Sequence, residues 1–292
     1  LVGSEMCIRD SYKDIFMSAV LTMHNEESYL DQCIETVLNQ DHENFEFIIV
    51  DDGSTDRSCE IAESYHDNRI KLYRNRQNYI KSLNLGISKA SGKYIAHIDA
   101  DDMMYKSRFT EQIRYMEEHS DVDISGAFME SFGRLNIDYT APTENLRIVS
   151  DLLWAVQIFH PVMMFRTSSL ITHHMKEQLY NPQCPLCEDY DLLVSSALQG
   201  MSFGNIPKKL VHYRLSDKQL TCAKGKQVKY YMLQTRKKYY DYIVSSLLNH
   251  HKENYKPAIQ SLTDRYVRKE INKNGYLQGL SDLYYQYLTE VR

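Results

Sequence analysis

Short apolar runs alternate with amphipathic stretches along the first third of the chain. β-Branched and aromatic residues dominate the runs, which predict strands over residues 16–22, 45–51, 70–73 and 94–99. The stretches between them repeat apolar residues at three- and four-residue spacing, which predicts helices over 29–39, after Asp56, and over 80–90. A chain that alternates strand and helix in this way favours a mostly parallel sheet covered by helices on both faces.

Two of these predicted strands end abruptly in carboxylates. Asp51 and Asp52 close one run, and Asp99, Asp101 and Asp102 close another. Clustered carboxylates that lose hydration repel one another, and a hard divalent cation is the usual compensation. The alternative is a helix start loaded with acids that suit the helix dipole. Because ligands of open α/β sheets bind beyond the carboxyl ends of the strands, we expect both clusters to face one crevice.

Five motifs follow one another in a recognisable order: Thr22-Met-His-Asn-Glu-Glu27, Val50-Asp-Asp-Gly-Ser-Thr-Asp56, Ser91-Gly-Lys-Tyr-Ile-Ala-His-Ile-Asp-Ala-Asp-Asp102, His160-Pro161 and Cys187-Glu-Asp-Tyr-Asp-Leu192. Together they resemble glycosyltransferase family 2, a family of inverting enzymes with the GT-A fold. The resemblance covers residues 15–215. It implies a Rossmann-like α/β domain that binds a nucleotide-sugar donor.

The resemblance also implies roles for individual donor-site residues. Asp52 accepts a base N–H, Asp99 contacts the ribose hydroxyls, and Asp101 ligates Mn²⁺ or Mg²⁺ at the diphosphate. Ala100, between those two aspartates, belongs to the same donor site. For Asp51 a loop-capping role competes with ligand contact. The base and ribose pocket is completed by residues of the first strand end: Thr22, His24 and Glu26.

The catalytic base of the family comes from a Glu-Asp pair that begins a helix, matched here by Glu188 and Asp189. We expect Asp189 to remove the acceptor proton, with Glu188 as the rival. Asp191 is better suited to stabilising the start of the helix predicted over 190–198.

Several basic positions have two interpretations. Lys81 lies in the segment that contacts the donor in relatives, yet Tyr79 stands where many members carry a small glycine, and solvation on a helix face competes for Lys81. Arg214, on a strand predicted over 210–215, is expected to steady the diphosphate, with a structural salt bridge as the alternative. His160 is placed like the acceptor-side His-Pro element of the family or is a core histidine.

Other chemistries are not supported. Cys184 and Cys187 have CxxC spacing without the second pair of a zinc site, and the cysteines are expected to be reduced thiols. The sequence contains no GxxxxGK[ST] and no GxGxxG, which argues against P-loop and dinucleotide-binding enzymes. A formal net charge of −5 argues against a nucleic-acid partner.

The expected organisation has three parts. Residues 1–14 fit no element and are expected to be extraneous or disordered. Residues 15–215 form the catalytic domain, with a nucleotide-binding half at 15–105 and an acceptor half at 106–215. Residues 216–292 form a basic, tyrosine-rich helical appendage: one helix over 224–248 and a second helical stretch after Pro257.

We expect the appendage to pack on the catalytic domain or on a second subunit, through residues that include Tyr231, Leu233, Tyr239, Tyr242 and Ile243. Peripheral contact with an anionic membrane is the alternative. No apolar run approaches the ~18 residues of a membrane span, so no transmembrane segment is expected.

The sequence therefore predicts a cytoplasmic, metal-dependent inverting glycosyltransferase, with UDP as the favoured nucleotide. Its acceptor is expected to be a glycan or a lipid-linked saccharide in surface polysaccharide biosynthesis. The alternatives are a sugar-nucleotide nucleotidyltransferase and a non-catalytic glycan-binding module.

Overall fold

A computed structural model describes residues 12–215, 225–250 and 252–291. These residues contain a nine-stranded sheet in the order β3-β2-β1-β4-β8-β6-β9-β5, with β7 paired to β6 outside this path. The strands are β1 Met17–Met23, β2 Phe45–Asp51, β3 Ile70–Arg74, β4 Tyr94–Asp99, β5 Met103–Met104, β6 Ile124–Gly133, β7 Asp138–Tyr139, β8 Met164–Arg166 and β9 Phe203–Leu215.

Helices connect and cover these strands. They are α1 Leu30–Leu38, α2 Ser58–Ser64, α3 Tyr79–Lys89, α4 Arg108–Glu118, α5 Asn145–Asp151, α6 Thr167–Thr172, α7 Glu188–Leu198, α8 Gly225–His250, α9 Lys252–Val267 and α10 Lys273–Glu290, with a 3-10 turn at His160–Val162. The four strands and the helices predicted in the first hundred residues are present, with ends shifted by one or two residues. The predicted α/β fold is therefore confirmed.

The sheet has a parallel half and a mixed half. Strands β3, β2, β1 and β4 run parallel, as their βα alternation predicts. Strand β8 then joins β4 and β6 in antiparallel pairing, while β6 and β9 run parallel to each other. In the parallel half Thr22 lies opposite Val50 and Asp99, and Met23 lies opposite Asp51, so three strands end at one level.

Alternating side chains build a hydrophobic core on each face of the sheet. Along β1, Ala19 and Leu21 pack into a cluster with α1 and α4, whereas Val20 packs into another with α3 and α7. Successive side chains of a strand point to opposite faces, so a sheet covered on both sides buries every residue of its central strands. Strands β1 and β2 are buried throughout.

A buried carboxylate holds the outer edge of the parallel half. Glu46 on β2 accepts hydrogen bonds from the Ser18 hydroxyl (2.6 Å), the Ser91 backbone N–H (2.7 Å) and Lys71 Nζ (2.7 Å). Burial opposes ionisation, but the bonds from Lys71, Ser18 and Ser91 lower the pKa of Glu46 to about 2. The charged form therefore ties three strands and the turn before β4 together.

The C-terminal helices share the core of the rest of the chain. Tyr239 and Ile243 of α8 and Leu280 of α10 are fully buried in the cluster that contains α7. Leu233 and Tyr242, by contrast, are 38% and 40% exposed, so they are not buried by the described residues, and their packing on a second subunit stays a prediction. The expectation that these helices pack on the preceding residues is met by one face of α8.

Two expectations about the chain ends differ from the structure. Residues 12–14 form a turn, and the Asp14 carbonyl accepts a hydrogen bond from Asn44 Nδ2 at 2.9 Å, so they belong to the fold; residues 1–11 lie outside the described residues. Pro257 lies inside α9, and α10 follows separately, where one helical stretch after Pro257 was expected. No described helix combines the length and hydropathy needed to cross a membrane.

Candidate active site

The carboxyl ends of β1, β2 and β4 bring the acidic clusters to one edge of the sheet. Asp51 caps its loop, because Oδ1 accepts the Ser54 backbone N–H at 2.9 Å, which agrees with the loop-capping interpretation. Asp52 is buried, and its Oδ1 accepts both the Asn78 backbone N–H and the Ser82 hydroxyl at 2.7 Å. Asp52 therefore fixes the start of α3 with one oxygen.

The loop after β1 lies against the loop after β2. His24 Nδ1 is 3.1 Å from the carbonyl oxygen of Asp52, so the hydrogen bond places a proton on Nδ1. The backbone N–H of Glu26 donates to the Ser58 hydroxyl at 2.8 Å. Lys81 lies in the first turn of α3 with an exposed side chain. The structure thus brings His24 beside Asp52; contact of any of these residues with a nucleotide stays a prediction.

The acidic loop after β4 contains carboxyl groups whose pKa values are shifted in opposite directions. His97 Nε2 is 2.8 Å from Asp99 Oδ1; burial opposes the charge, but His97 and His160 hold the pKa of Asp99 at about 2. Burial and the charge of Asp99 raise the pKa of Asp101 to about 6. Burial, Asp99 and Asp101 raise the pKa of Asp102 well above its usual range. The charge of Asp99 therefore opposes the ionisation of the other two carboxyl groups in this loop.

Arg214 organises this loop from the end of β9. Its backbone N–H donates to Asp102 Oδ1 (2.7 Å), and its Nε donates to the carbonyl oxygen of Asp101 (2.8 Å). The guanidinium lies 4.2 Å from the centre of the Tyr29 ring and 4.5 Å from that of Phe132. The structure thus shows that Arg214 positions the acidic loop, a role that the sequence analysis did not predict. Its expected contact with the diphosphate stays a prediction.

Two histidines stack beside Asp99. The rings of His97 and His160 lie 3.7 Å apart and 29° from parallel, and His160 Nδ1 is 3.8 Å from Asp99 Oδ1. His160 Nε2 is 3.0 Å from the hydroxyl of Tyr180. The sequence analysis did not identify His97 or Tyr180 as site residues, since His97 lies in the strand part of the third motif, where no role is expected of it, and Tyr180 belongs to none of the five motifs.

Tyr180 is held by its backbone. Asn84 of α3 donates Nδ2–H to the Tyr180 carbonyl oxygen and accepts the Tyr180 N–H on Oδ1, both at 2.8 Å. Since Asn78 and Ser82, which bind Asp52, belong to the same end of α3, this helix joins the loop after β2 to the segment that precedes α7.

The Glu-Asp pair begins α7, as the sequence predicts for its position. Asp189 Oδ1 accepts the Tyr190 backbone N–H at 2.7 Å. Glu188 Oε2 is buried without a hydrogen-bond partner, and burial, followed by the charge of Asp189, raises the pKa of Glu188. The preceding Leu186 has a φ of +71°, a conformation that costs a non-glycine residue of order 1–3 kcal/mol. Backbone strain of this kind clusters at functional sites.

The pKa values of two tyrosines respond both to the acidic loop and to the start of α7. After burial, the charges of Asp99 and Glu188 raise the pKa values of Tyr79 and Tyr180 well above the usual range. Asp189 acts on both tyrosines in the same direction. The charges of the acidic loop and of the start of α7 therefore both act on Tyr79 and Tyr180.

Several buried polar atoms in the described residues have no hydrogen-bond partner, and half of them are in this site: Thr22 Oγ1, His97 Nδ1, Asp102 Oδ2 and Glu188 Oε2. Buried polar groups are normally paired, so a concentration of unpaired atoms indicates a missing ligand.

A divalent cation fits the acidic loop. It would ionise Asp101 fully and give Asp102 Oδ2 a partner, and hard oxygen ligands suit Mg²⁺ or Mn²⁺. A second grouping, His97, Asp99 and His160, also has its ligand atoms within 4.8 Å of one another. Its short contact is already a histidine–carboxylate hydrogen bond, so we favour Asp101 as the metal ligand.

The described cysteines are free thiols: Cys33, Cys59, Cys184 and Cys187. These four cysteines agree with the expectation of reduced thiols. Cys7 and Cys222 lie outside the described residues.

Relatives of known class match this chain. An uncharacterized glycosyltransferase of Haemophilus influenzae is 31% identical over 218 residues, covering 70% of this chain and 66% of that protein. One of Methanocaldococcus jannaschii is 29% identical over 231 residues, covering 76% and 78%. One of Rickettsia bellii is 35% identical over 130 residues, but this chain spans only 19% of its length.

Solved structures share the fold at low identity. Residues 1–349 of S. aureus TarS in complex with UDP-GlcNAc give a TM-score of 0.63 at 17% identity, covering 94% of this chain and 92% of that one. The mannosyltransferase PcManGT from Pyrobaculum calidifontis, in complex with GDP-Man and Mn²⁺, gives 0.55 at 12% identity, covering 96% and 95%.

The sequence model described as glycosyl transferase family 2 matches residues 18–174, which is more than half of the 292 residues. The matched residues include the three strand ends, the acidic loop and His160. This chain belongs to glycosyltransferase family 2.

Proposed function

We propose that this protein is a metal-dependent inverting glycosyltransferase, which moves a sugar from a nucleotide-sugar donor to a hydroxyl group of a glycan or lipid-linked acceptor. The observation that carries the proposal is the acidic loop after β4, where the buried Asp102 Oδ2 has no hydrogen-bond partner and burial together with the charge of Asp99 raises the pKa of Asp101. A divalent cation bound together with the donor diphosphate would supply the positive charge that this loop lacks.

The donor would lie across the strand ends. Thr22 Oγ1 is a buried hydroxyl without a partner, and Asp52 and His24 lie beside each other in the adjoining loops. We propose that Asp52 and His24 recognise the base, with Glu26 and Asp99 near the ribose. UDP is the favoured nucleotide, and the UDP-GlcNAc complex of TarS supports that choice.

The metal would be held by Asp101, and Asp102 would orient the loop. Bound there, a divalent cation neutralises the negative charge of the departing diphosphate. Arg214 supports this arrangement, because its backbone and side chain fix the positions of Asp102 and Asp101. Its expected contact with the diphosphate stays a prediction.

The reaction would then need one proton acceptor on the opposite side of the sugar. We propose that Asp189 takes the proton of the acceptor hydroxyl while that oxygen bonds to the anomeric carbon and the bond to the diphosphate breaks. The bond from Tyr190 N–H orients Asp189. Glu188 is the rival, but its Oε2 is buried, so an acceptor hydroxyl cannot reach that atom without rearrangement.

Two other functions are less well supported. A nucleotidyltransferase holds a triphosphate in a glycine-rich basic loop, and here the first strand leads into Thr22-Met-His-Asn-Glu26. A non-catalytic glycan-binding module has no need for the strained backbone of Leu186 or for the buried, unpaired Glu188 Oε2 at the start of α7. A cytoplasmic location and a role in surface polysaccharide synthesis belong to the same proposal.

Thermal shift with UDP, GDP and dTDP sugars, each with and without Mn²⁺, tests the donor site. A ligand at 100 times its Kd stabilises the protein by about 2.7 kcal/mol, so one nucleotide should raise the melting temperature in a metal-dependent way. Product analysis separates the three functions, because transfer, pyrophosphate release and no turnover are distinct outcomes. Pyrophosphate release, or the absence of any nucleotide-sugar binding, would overturn the proposal.

A further inference from the structure

A cavity of about 660 Å³ opens between the start of α3, the segment before α7 and the first turns of α8. Its walls include Tyr79, Pro182, Leu186, Lys226, Tyr230 and Tyr231. Another cavity, of about 580 Å³, lies beside Gln40 and Arg69, before β2 and β3, and is remote from the strand ends of the site. The first cavity is therefore the one that adjoins the chemistry.

Two wall residues connect this cavity to the catalytic groups. Leu186 lies two residues before Glu188 and carries the strained backbone of that segment. Tyr79 is partly buried in the first turn of α3 and follows Asn78, whose backbone N–H donates to Asp52 Oδ1. A molecule in the cavity thus contacts the segment that leads into Glu188 and Asp189, the side from which we propose that the acceptor hydroxyl approaches.

The walls suit a saccharide. Rings and a proline supply flat apolar surfaces, while the tyrosine hydroxyls supply polar groups at their edges. Tyr230 is 58% exposed, so its ring is available to a ligand, whereas Tyr231 is partly buried and forms a firmer wall. The two rings meet edge to face with centroids 5.3 Å apart.

The one charged residue among the described residues that line the cavity is Lys226, in a helix that begins with basic residues although the whole chain has a net charge of −5. Five basic residues precede the first acid of α8, Asp241: Lys226, Lys229, Arg236, Lys237 and Lys238. The last three contact Trp154, Asp241 and Ser195 respectively. Lys226, at the cavity, has no acceptor for its ammonium group among the described residues. It lies in the first turn of a long helix, whose dipole adds to the local positive potential.

We propose that this cavity binds the acceptor, and that the acceptor is a saccharide carrying a phosphate or carboxylate group that pairs with Lys226. The inference rests on the proposed glycosyl transfer and adds the class of acceptor. Tyr230 and Tyr231 hold the sugar rings, and Lys226 selects against neutral saccharides of the same size.

Binding of three matched probes to the full chain tests this: maltotriose, a phosphorylated maltotriose and the trimer of galacturonic acid, each added with donor nucleotide and Mn²⁺. We expect the wild type to bind both anionic trimers more tightly than maltotriose, with the preference falling as salt rises. Lys226→Gln should reduce anionic binding about three- to five-fold, the scale of a partly exposed ion pair, and leave maltotriose unchanged.

Matched variants separate the site from general effects. Lys229→Gln removes an exposed cation three residues away that does not line the cavity, and it should keep the anionic preference. Tyr230→Ser should weaken binding of all three trimers, whereas Tyr266→Ser, at a 42% exposed tyrosine of α9, should weaken none.

Nucleotide-sugar binding, measured separately in every variant, distinguishes the two proposals. If the wild type binds no nucleotide sugar, the proposed function fails. If donor binding is intact but maltotriose binds as well as the anionic trimers, no trimer binds, or Lys226→Gln and Lys229→Gln behave alike, the acceptor inference is wrong.

Discussion

Replacement of Asp189 by asparagine isolates the proposed base from the fold. The amide oxygen can still accept the Tyr190 N–H, so the start of α7 keeps its hydrogen bond. Loss of a negative charge near the helix start lowers the free energy of unfolding by about 0.3–1 kcal/mol. Relief of the repulsion between Asp189 and Glu188 offsets part of this loss. We therefore expect the melting temperature to change by no more than about 2–4 °C.

The catalytic effect should be much larger. Removal of a general base lowers the rate by roughly 100-fold or more, which corresponds to a barrier increase of about 2.7 kcal/mol. Donor and metal affinity, measured by calorimetry, should stay within a few-fold of wild type, because Asp189 lies on the acceptor side. Nucleotide release in the presence of acceptor gives the transfer rate.

Glu188→Gln is the matched control, and it should cost less activity than Asp189→Asn. An inactive Glu188→Gln beside an active Asp189→Asn would identify the neighbour as the base. A product that retained the anomeric configuration of the donor would refute the single-displacement mechanism altogether.

Three further predictions concern the metal, the sheet edge and the C-terminal helices. Asp101→Asn should abolish metal-dependent donor binding in calorimetry without unfolding the protein, and EDTA should mimic it; wild-type turnover in either case would contradict the metal assignment. Glu46→Gln should lower the free energy of unfolding at pH 7 by about 2 kcal/mol. The lowered pKa of Glu46 corresponds to about 3 kcal/mol, and the expected effect is smaller than this because Lys71 is 48% exposed and solvent screens the ion pair. Because that pKa is lowered on folding, the difference should be complete above about pH 4.5 and shrink as the pH falls towards 2; a urea-unfolding difference that is equal at pH 7 and pH 3 would refute it. Deletion of residues 216–292 should give insoluble or destabilised protein, because it removes Leu280 and exposes the core residues that pack against it. A soluble truncation with unchanged melting would contradict the packing of these helices.

The parallel half of the fold could be predicted because its signals are local. Each strand is an apolar run, and the runs that end at Asp51 and Asp99 stop at the same level of the sheet. The rule that ligands bind at the carboxyl ends of such strands then brings the two acidic clusters together. The mixed half has no equivalent signal, since β8 is only three residues long and pairs with strands distant in sequence.

The contacts that the sequence did not reveal join residues that are distant along the chain. His97 and His160 are separated by 63 positions and stack only because β8 lies beside β4. Arg214 looked like a diphosphate ligand from its charge alone. Its stacking between Tyr29 and Phe132 depends on three segments meeting, which no pattern of residue spacing expresses.

The backbone hydrogen bonds between Asn84 and Tyr180 have a consequence for which residues beside His160 can change during evolution. Asn84 binds only the main-chain N–H and carbonyl groups of residue 180, so it fixes the path of the chain without specifying a side chain. A substitution at Tyr180 therefore alters what faces His160 while the loop stays in register. The residue at position 180 can therefore change without moving the chain, whereas a change at Asn84 puts the path of the whole segment before α7 at risk.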